Sequence, residues 1–408
     1  MSRHVLYVSD VYFPRVNGVS TSIGTFREDL GAIGVTTTLV APDYGNVPGA
    51  VAGRDSEGVI RIPSRRVPRD PEDRLMNRRA LQAALVETPT QPYDLVHIHT
   101  PFLAHYAAIR AARHWRIPVV ATCHTYFEDY LHHYLPVLPH AAGRWLARRF
   151  TTSQFRHVDA VIAPSEPLRD KLRGYGVQAQ IEVVPTGIPA SRFVPGDGAR
   201  FRRRHDIPAG RRIVLIVGRV AHEKNLGFLL RMFAQLAPSQ PKALLVVAGE
   251  GPAREALASQ AATLCLTDNI RFVGNLDREQ GLNDCYAAAS VFVFASRTET
   301  QGLVLLEAMA QGCAVVSTAC LGTRSVLGEG CGALVVPEDL SLFADAVGNV
   351  LNDPLLAAAA GAQGRAWAEG WSSRGLAGRV AELYAEVCKR AARRSWQTES
   401  AAAVTESR

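Results

Sequence analysis

Thr298 to Gly312 reads TETQGLVLLEAMAQG and carries two carboxylates, Glu299 and Glu307, with seven residues between them. On a helix they stand about 12 Å apart in rise. Carboxylates accept hydrogen bonds from sugar and ribose hydroxyls. The stretch follows the strand-like run VFVFAS, and the helix-forming LLEAMAQ begins a few residues later. Thr300, Gln301 and Gly302 therefore fall at a helix N-terminus, where unpaired N–H groups attract an anion. A phosphate at the helix start, a hexose beside Glu299 and a ribose beside Glu307 would span the distance. A surface helix with two solvated glutamates satisfies the same spacing.

Two further stretches put chemistry at strand ends. GRVAHEKN, from Gly218, supplies Arg219 and Lys224, and GEGP follows the next strand with Gly249 and Gly251. A diphosphate needs this combination of backbone N–H donors, a helix N-terminus and one or two cations. GEGPAR has Arg254 where a dinucleotide fingerprint requires a third small residue, and no fingerprint follows the first strand of either half, which argues against a nicotinamide cofactor. In the first half, Asp10, His97, His99 and His124 end strands, and ten of the twelve histidines precede Ala190. HxH and HH resemble metal spacings. No carboxylate or cysteine is placed to complete a site and there is no DxD, so no metal and no cofactor are expected.

The elements that must position these residues are legible as short apolar runs: HVLYVSD, TTTLVAP, LVHIH, PVVATCH, AVIAPS and IEVVPTG, then IVLIVGR, ALLVVAGE, RFVG, VFVFAS, AVVST and ALVVP. Continuous Val/Ile/Leu runs are strands buried on both faces, as parallel sheets require, with helical crossovers between them. Twelve runs exceed one doubly wound unit and fit two. The seam lies after VVPTGIPASRF, where the chain turns polar and basic. This divides an α/β chain into lobes at 1–189 and 190–372. A helix over 373–394 closes the chain or crosses back to the first lobe, and the polar tail 395–408 reads as disordered.

At 408 residues the chain exceeds what one core usually serves, and 47% apolar content fits a folded protein. The net charge of +7 is too weak to imply nucleic acid. Seven cysteines without CxxC pairs read as free thiols in a reducing cytoplasm. MSRHVLYVSD enters a strand at once, so no signal peptide is read, and no window is apolar enough to span a membrane.

GRVAHEKN, GEGP, RFVGNL and TETQGLVLLEAMAQG, in this order between Ile213 and Pro337, resemble the donor lobe of family 4 retaining glycosyltransferases. The resemblance implies the GT-B fold, two Rossmann-like lobes whose parallel sheets face a central cleft. It places Arg219 and Lys224 on the donor diphosphate, Glu299 on the sugar hydroxyls and Glu307 on the ribose. Gly249 and the backbone amides of Thr300, Gln301, Gly302, Leu303 and Val304 would lie near sugar and phosphate. Phe272 to Leu276, with Val273 and Leu276, would border the base.

The first lobe is similar to the family's acceptor lobe. PRVNGV, with Asn17 and Gly18, resembles its first glycine loop, where two adjacent glycines are common. HTYFEDY, from His124 to Tyr130, resembles a motif of bacterial diacylglycerol glycosyltransferases. By that resemblance His124 reaches the donor sugar across the cleft, Gly18 meets the donor as well, and Asn17, Gly18, His124, Tyr126 and Tyr130 meet the acceptor. His124, Arg219, Lys224 and Glu299 are the catalytic set.

Leu131 to His157 holds no acidic residue, and Arg144, Arg148 and Arg149 accompany Trp145, Leu146 and Phe150. A helix near 143–156 would present a basic, aromatic face to an anionic membrane; alternatively it packs its apolar face inside. Arg61, Arg65, Arg66 and Arg69 form a second basic cluster. The expectation is an enzyme at the inner face of the cell membrane. It moves a hexose from a nucleotide sugar, UDP-glucose or a related UDP-hexose, to a lipid such as diacylglycerol. Alternatives are a GDP-mannose-dependent mannosyltransferase, a sugar-nucleotide 2-epimerase, or a non-catalytic nucleotide sensor.

Overall fold

The structure, a computed structural model, describes residues 3–45, 58–67, 70–86, 93–126 and 140–406. In the first lobe the strands are β1 (Arg3–Val8), β2 (Val35–Pro42), β3 (Val59–Ile62), β4 (Ser64–Val67), β5 (Asp70–Met76), β6 (Leu95–Ile98), β7 (Val119–Thr122), β8 (Ala160–Ala163) and β9 (Gln180–Val183). In the second they are β10 (Arg212–Val217), β11 (Ala243–Ala248), β12 (Ile270–Gly274), β13 (Val291–Phe294), β14 (Val315–Ser317) and β15 (Leu334–Val335). All twelve apolar runs are strands. β6, β8, β11 and β13 are buried along their whole length, because helices cover both faces of each sheet.

One sheet has the order β3-β2-β1-β6-β7-β8-β9 and the other β12-β11-β10-β13-β14-β15, parallel throughout. In each, the strand order reverses beside the first strand. That reversal opens a crevice at the carboxyl ends of β1 and β6, and of β10 and β13, where open α/β sheets bind ligands.

Three strands were not legible as apolar runs. β3 carries Arg61 among Val59, Ile60 and Ile62 and lies at a sheet edge, and β4 and β5 form a charged antiparallel hairpin. The basic cluster assigned there divides. Arg61 Nη1 donates to the Phe13 and Pro42 carbonyls at 2.8 and 3.2 Å, and its guanidinium stands 5.6 Å from the Tyr12 ring centroid. Arg65 and Arg66 are exposed, and Arg69 lies outside the described residues.

The long helix Ser373–Glu406 returns to the first lobe, where Ala377, Val380, Leu383, Tyr384 and Val387 share one core with Val5, Tyr7, Ile23 and Leu39. The Tyr384 hydroxyl lies 2.8 Å from that of Tyr7 and 2.6 Å from His97 Nδ1. The outgoing and returning chains touch at Gly187. A Cβ there would lie 2.2 Å from Ser373 Cα, so only glycine fits. The helix continues through the segment expected to be disordered, ending at Glu406. Gln397, Glu399 and the alanines at 401–403 extend a helix already nucleated upstream.

All seven cysteines are free thiols. Among the described residues no helix is long and apolar enough to cross a membrane, and no group of three or more His, Cys, Asp or Glu is placed to hold a metal.

Candidate active site

Three loops meet where β10, β11 and β13 end. Lys224, in the short 3-10 turn His222–Lys224, donates to Glu299 Oε1 at 2.5 Å. Arg219 pairs with Glu223 at 3.5 Å, and both are nearly buried. Each cation is thus held by a carboxylate on the wall of the crevice, which fixes its position at little entropic cost to a ligand. Gly218, Gly249 and Gly251 have φ of 146°, 138° and 157°. A Cβ on Gly249 would stand 1.9 Å from the Gly218 carbonyl oxygen, and one on Gly251 2.4 Å from that of Val220. Both glycines therefore let two loops pack backbone to backbone. The close approach serves first to assemble the loops.

Gly302 (φ 98°) precedes the helix Leu303–Ala310, whose first turn offers free N–H groups toward the loops. Leu303 and Val304 are half-buried there. Gln301 is turned inward. Its Oε1 accepts from Thr186 N at 2.8 Å, its Nε2 donates to the Thr186 carbonyl at 2.7 Å, and Thr186 Oγ1 lies 2.7 Å from Ser22 Oγ in the first lobe. Thr300 Oγ1 donates to the His124 carbonyl at 3.2 Å, and Ser165 Oγ to the Thr300 carbonyl at 2.6 Å. The segment between the two glutamates is therefore where the lobes are joined, with Glu299 on the cleft side.

Glu307 stands differently. It is 3% exposed, its Oε1 accepts from Arg278 Nη2 at 2.6 Å, and Oε2 has only a 3.4 Å contact from the Tyr286 hydroxyl. It is the buried counter-ion of Arg278, not a solvated surface glutamate. Val273 and Leu276 are half-buried against the second-lobe core, and Leu276 also lines a cavity of about 320 Å³ with Arg200, Arg204, Asp277 and Gln280.

Across the cleft, His124 Nε2 lies 3.2 Å from His99 Nδ1, with the rings stacked at 24°. Burial pushes the His124 pKa down to about 4 and that of His99 well below its usual value, so both rings are neutral at neutral pH. Asp10 is engaged elsewhere. Its carboxylate accepts from Thr100 Oγ1 at 2.7 Å and Ala104 N at 3.1 Å, holding the start of the helix Leu103–Trp115, and burial raises its pKa to about 6. Asn17 caps the helix Gly18–Ala32 by accepting from Ser20 N at 2.8 Å, and Gly18 is exposed in its first turn. Asn17 stands where a second glycine is common because this loop ends in a side-chain cap. Tyr126, expected on the acceptor, is buried in the first-lobe core with the Lys171 ammonium 5.6 Å from its ring centroid. It lies four residues past the end of β7, and the core claims its ring. Tyr130 lies outside the described residues.

Residues 16–192 match the model described as Glycosyltransferase Family 4, and residues 197–367 the model Glycosyl transferases group 1. An alpha-monoglucosyldiacylglycerol synthase of Streptococcus pneumoniae is 34% identical over 76% of this chain and 69% of its own. The chain belongs to glycosyltransferase family 4. A GDP-mannose-dependent alpha-mannosyltransferase of Mycobacterium tuberculosis is 30% identical over 89% of this chain and 93% of its own. The structure of a sucrose-phosphate synthase from Thermosynechococcus elongatus superposes with a TM-score of 0.77 at 22% identity, covering 94% of this chain and 98% of that one, which is the two-lobed GT-B architecture.

Within this family 4 enzyme, sequence reasoning missed Glu223, Arg278 and Ser165. Glu223 had a signal, the i,i+4 spacing to Arg219 inside GRVAHEKN. Arg278 and Ser165 had none, because their partners lie 29 and 135 residues away.

Proposed function

We propose that the enzyme transfers a hexose from a UDP-hexose, UDP-glucose first among them, to a membrane lipid such as diacylglycerol, with retention at the anomeric carbon. The observation that carries this is the Lys224–Glu299 pair, a cation and a hydroxyl acceptor fixed at the strand-order reversal, in the loop joined to His124 of the opposite lobe. Lys224 and Arg219 stabilise the charge growing on the leaving diphosphate, which is the largest catalytic contribution here. Glu299 orients the sugar hydroxyls, Glu307 meets the ribose through Oε2, and the departing diphosphate helps remove the acceptor proton on the same face. Because two cations carry the diphosphate charge, chelation of divalent metals leaves turnover unchanged.

The naming of relatives from Streptococcus pneumoniae and Acholeplasma laidlawii as alpha-monoglucosyldiacylglycerol synthases supports the lipid acceptor. Structures of Anabaena HepE with UDP and glucose, 16% identical with a TM-score of 0.74, share this fold. The mycobacterial relative favours mannose from GDP-mannose as the second reading. A panel of UDP-glucose, UDP-galactose, UDP-glucuronate and GDP-mannose with diacylglycerol vesicles separates them. A glucosylated lipid is expected, whereas a mannosylated one establishes the second reading instead.

The helix His140–Gln154 supports work at the inner membrane face. Ala147, Thr151 and Gln154 pack inward, while Trp145 and Leu146 are 62% and 42% exposed among exposed Arg144, Arg148 and Arg149. Phe102, just before the neighbouring helix Leu103–Trp115, and Tyr106 within it are also exposed, and the Gln154 amide reaches the Tyr106 hydroxyl at 2.9 Å. Each arginine near an anionic surface contributes about 1 kcal/mol. Replacing the three arginines by glutamate is expected to release the protein from anionic vesicles; unchanged co-sedimentation contradicts the assignment.

A further inference from the structure

His124 is held from behind. His99 is 2% exposed, and its Nε2 is buried without a protein partner, as is the amide oxygen of Gln154, also 2% exposed. Both residues line one cavity of about 30 Å³ beneath the helix His140–Gln154, together with His105, Thr151 and Phe155. That volume admits one water, and a water bridging two buried polar atoms satisfies both. The Gln154 amide is oriented by its other end, because Nε2 donates to the Tyr106 hydroxyl. The atom turned to the cavity is therefore an acceptor.

We propose that Gln154, through one water, and His99 are positioning residues that keep His124 in its Nε2–H tautomer, leaving the Nδ1 lone pair for a hydroxyl in the cleft. The two rings share one hydrogen bond, so their tautomers are coupled. Either both carry the proton on Nε2, or both carry it on Nδ1. Neutral histidine side chains favour Nε2–H, and this preference acts twice in the pair. The acceptor that His99 Nε2–H then needs is the water held by Gln154. With His99 Nδ1 accepting, His124 Nε2–H is spent on it, and His124 Nδ1 bonds no described group. A ring in this state accepts a hydrogen bond from a sugar or acceptor hydroxyl. In the opposite state it only donates.

The inference rests on the reading of His124 as facing the transferred hexose, but its test does not need turnover. Long-range proton–nitrogen correlations on the histidine-labelled full chain, without substrate, report which ring nitrogen carries hydrogen. The expected result is a bare Nδ1 and a protonated Nε2 on His124. In Gln154→Met, which keeps the volume and removes the acceptor, a population with Nδ1–H should appear. In the same variant kcat falls by about tenfold, part of what a correctly protonated acid or base supplies, while KM for the donor is unchanged. Gln154→Leu repeats the test if the methionine variant misfolds. An Nδ1–H ring in the parent protein, or an unaltered tautomer in a folded Gln154 variant, overturns the proposal. Absence of transfer with every donor, beside the expected tautomer, defeats the functional reading alone.

Discussion

Lys224→Ala reduces sugar transfer by on the order of 10³-fold, the loss expected when one preorganised charge is removed from a developing anion. The fold is expected to tolerate the change. Lys224 and Glu299 are each partly open to solvent, at 24% and 17%, so the unpaired carboxylate is rehydrated and the cost stays near about 1 kcal/mol. The loss falls on kcat more than on KM, because the diphosphate gains charge only as the sugar leaves. Lys224→Arg restores part of the rate, since it keeps the charge but changes the reach. Near-normal turnover in Lys224→Ala, measured with the unfolding midpoint, sinks the phosphate assignment.

Glu307→Ala has the opposite signature and destabilises the second lobe by about 3 kcal/mol. The substitution strips Arg278 of its 2.6 Å partner and removes a carboxylate that favours the charge of Arg192, a guanidinium buried between Asn283 and the Arg278 carbonyl. Two cations are then left facing each other in a water-poor site. Arg278 is 21% exposed and turns partly to solvent, which keeps the loss at the low end for a broken buried pair. Glu307→Gln retains a hydrogen bond from Arg278 and loses less. The check is thermal unfolding of the three proteins, read alongside donor binding. A Glu307→Ala protein as stable as the parent contradicts the buried pairing. A stable Glu307→Gln protein that binds UDP-glucose more weakly supports a second task at the ribose.

The contrast between these two glutamates shows what sequence carries and what it does not. VFVFAS and IVLIVGR announce strands because each residue is apolar, and the residues ending them must then lie at the sheet edge where ligands bind. Glu299 and Lys224 follow from that rule. Glu307 was equally visible as a residue, but its partner Arg278 sits 29 residues earlier, in NLDREQ. Only the packing of the helix Gly281–Ala288 brings them together. Gln301 and Thr186 are 115 residues apart, and nothing in either local sequence signals their paired hydrogen bonds across the seam. Tyr126 illustrates the converse. A motif fixed its position in the chain, but the direction of its ring depends on the core around it. Periodicity and motif order report backbone placement; side-chain direction follows from contacts made at long range.

The central proposal is transfer of glucose to a lipid with its configuration kept. Its most direct test is the proton–proton coupling at the anomeric carbon of the glycolipid formed from UDP-glucose and diacylglycerol vesicles. A lipid-linked glucose with the small coupling of the α-anomer, the configuration of the donor, is expected. A β-linked glycolipid, or free glucose with no lipid product, contradicts it.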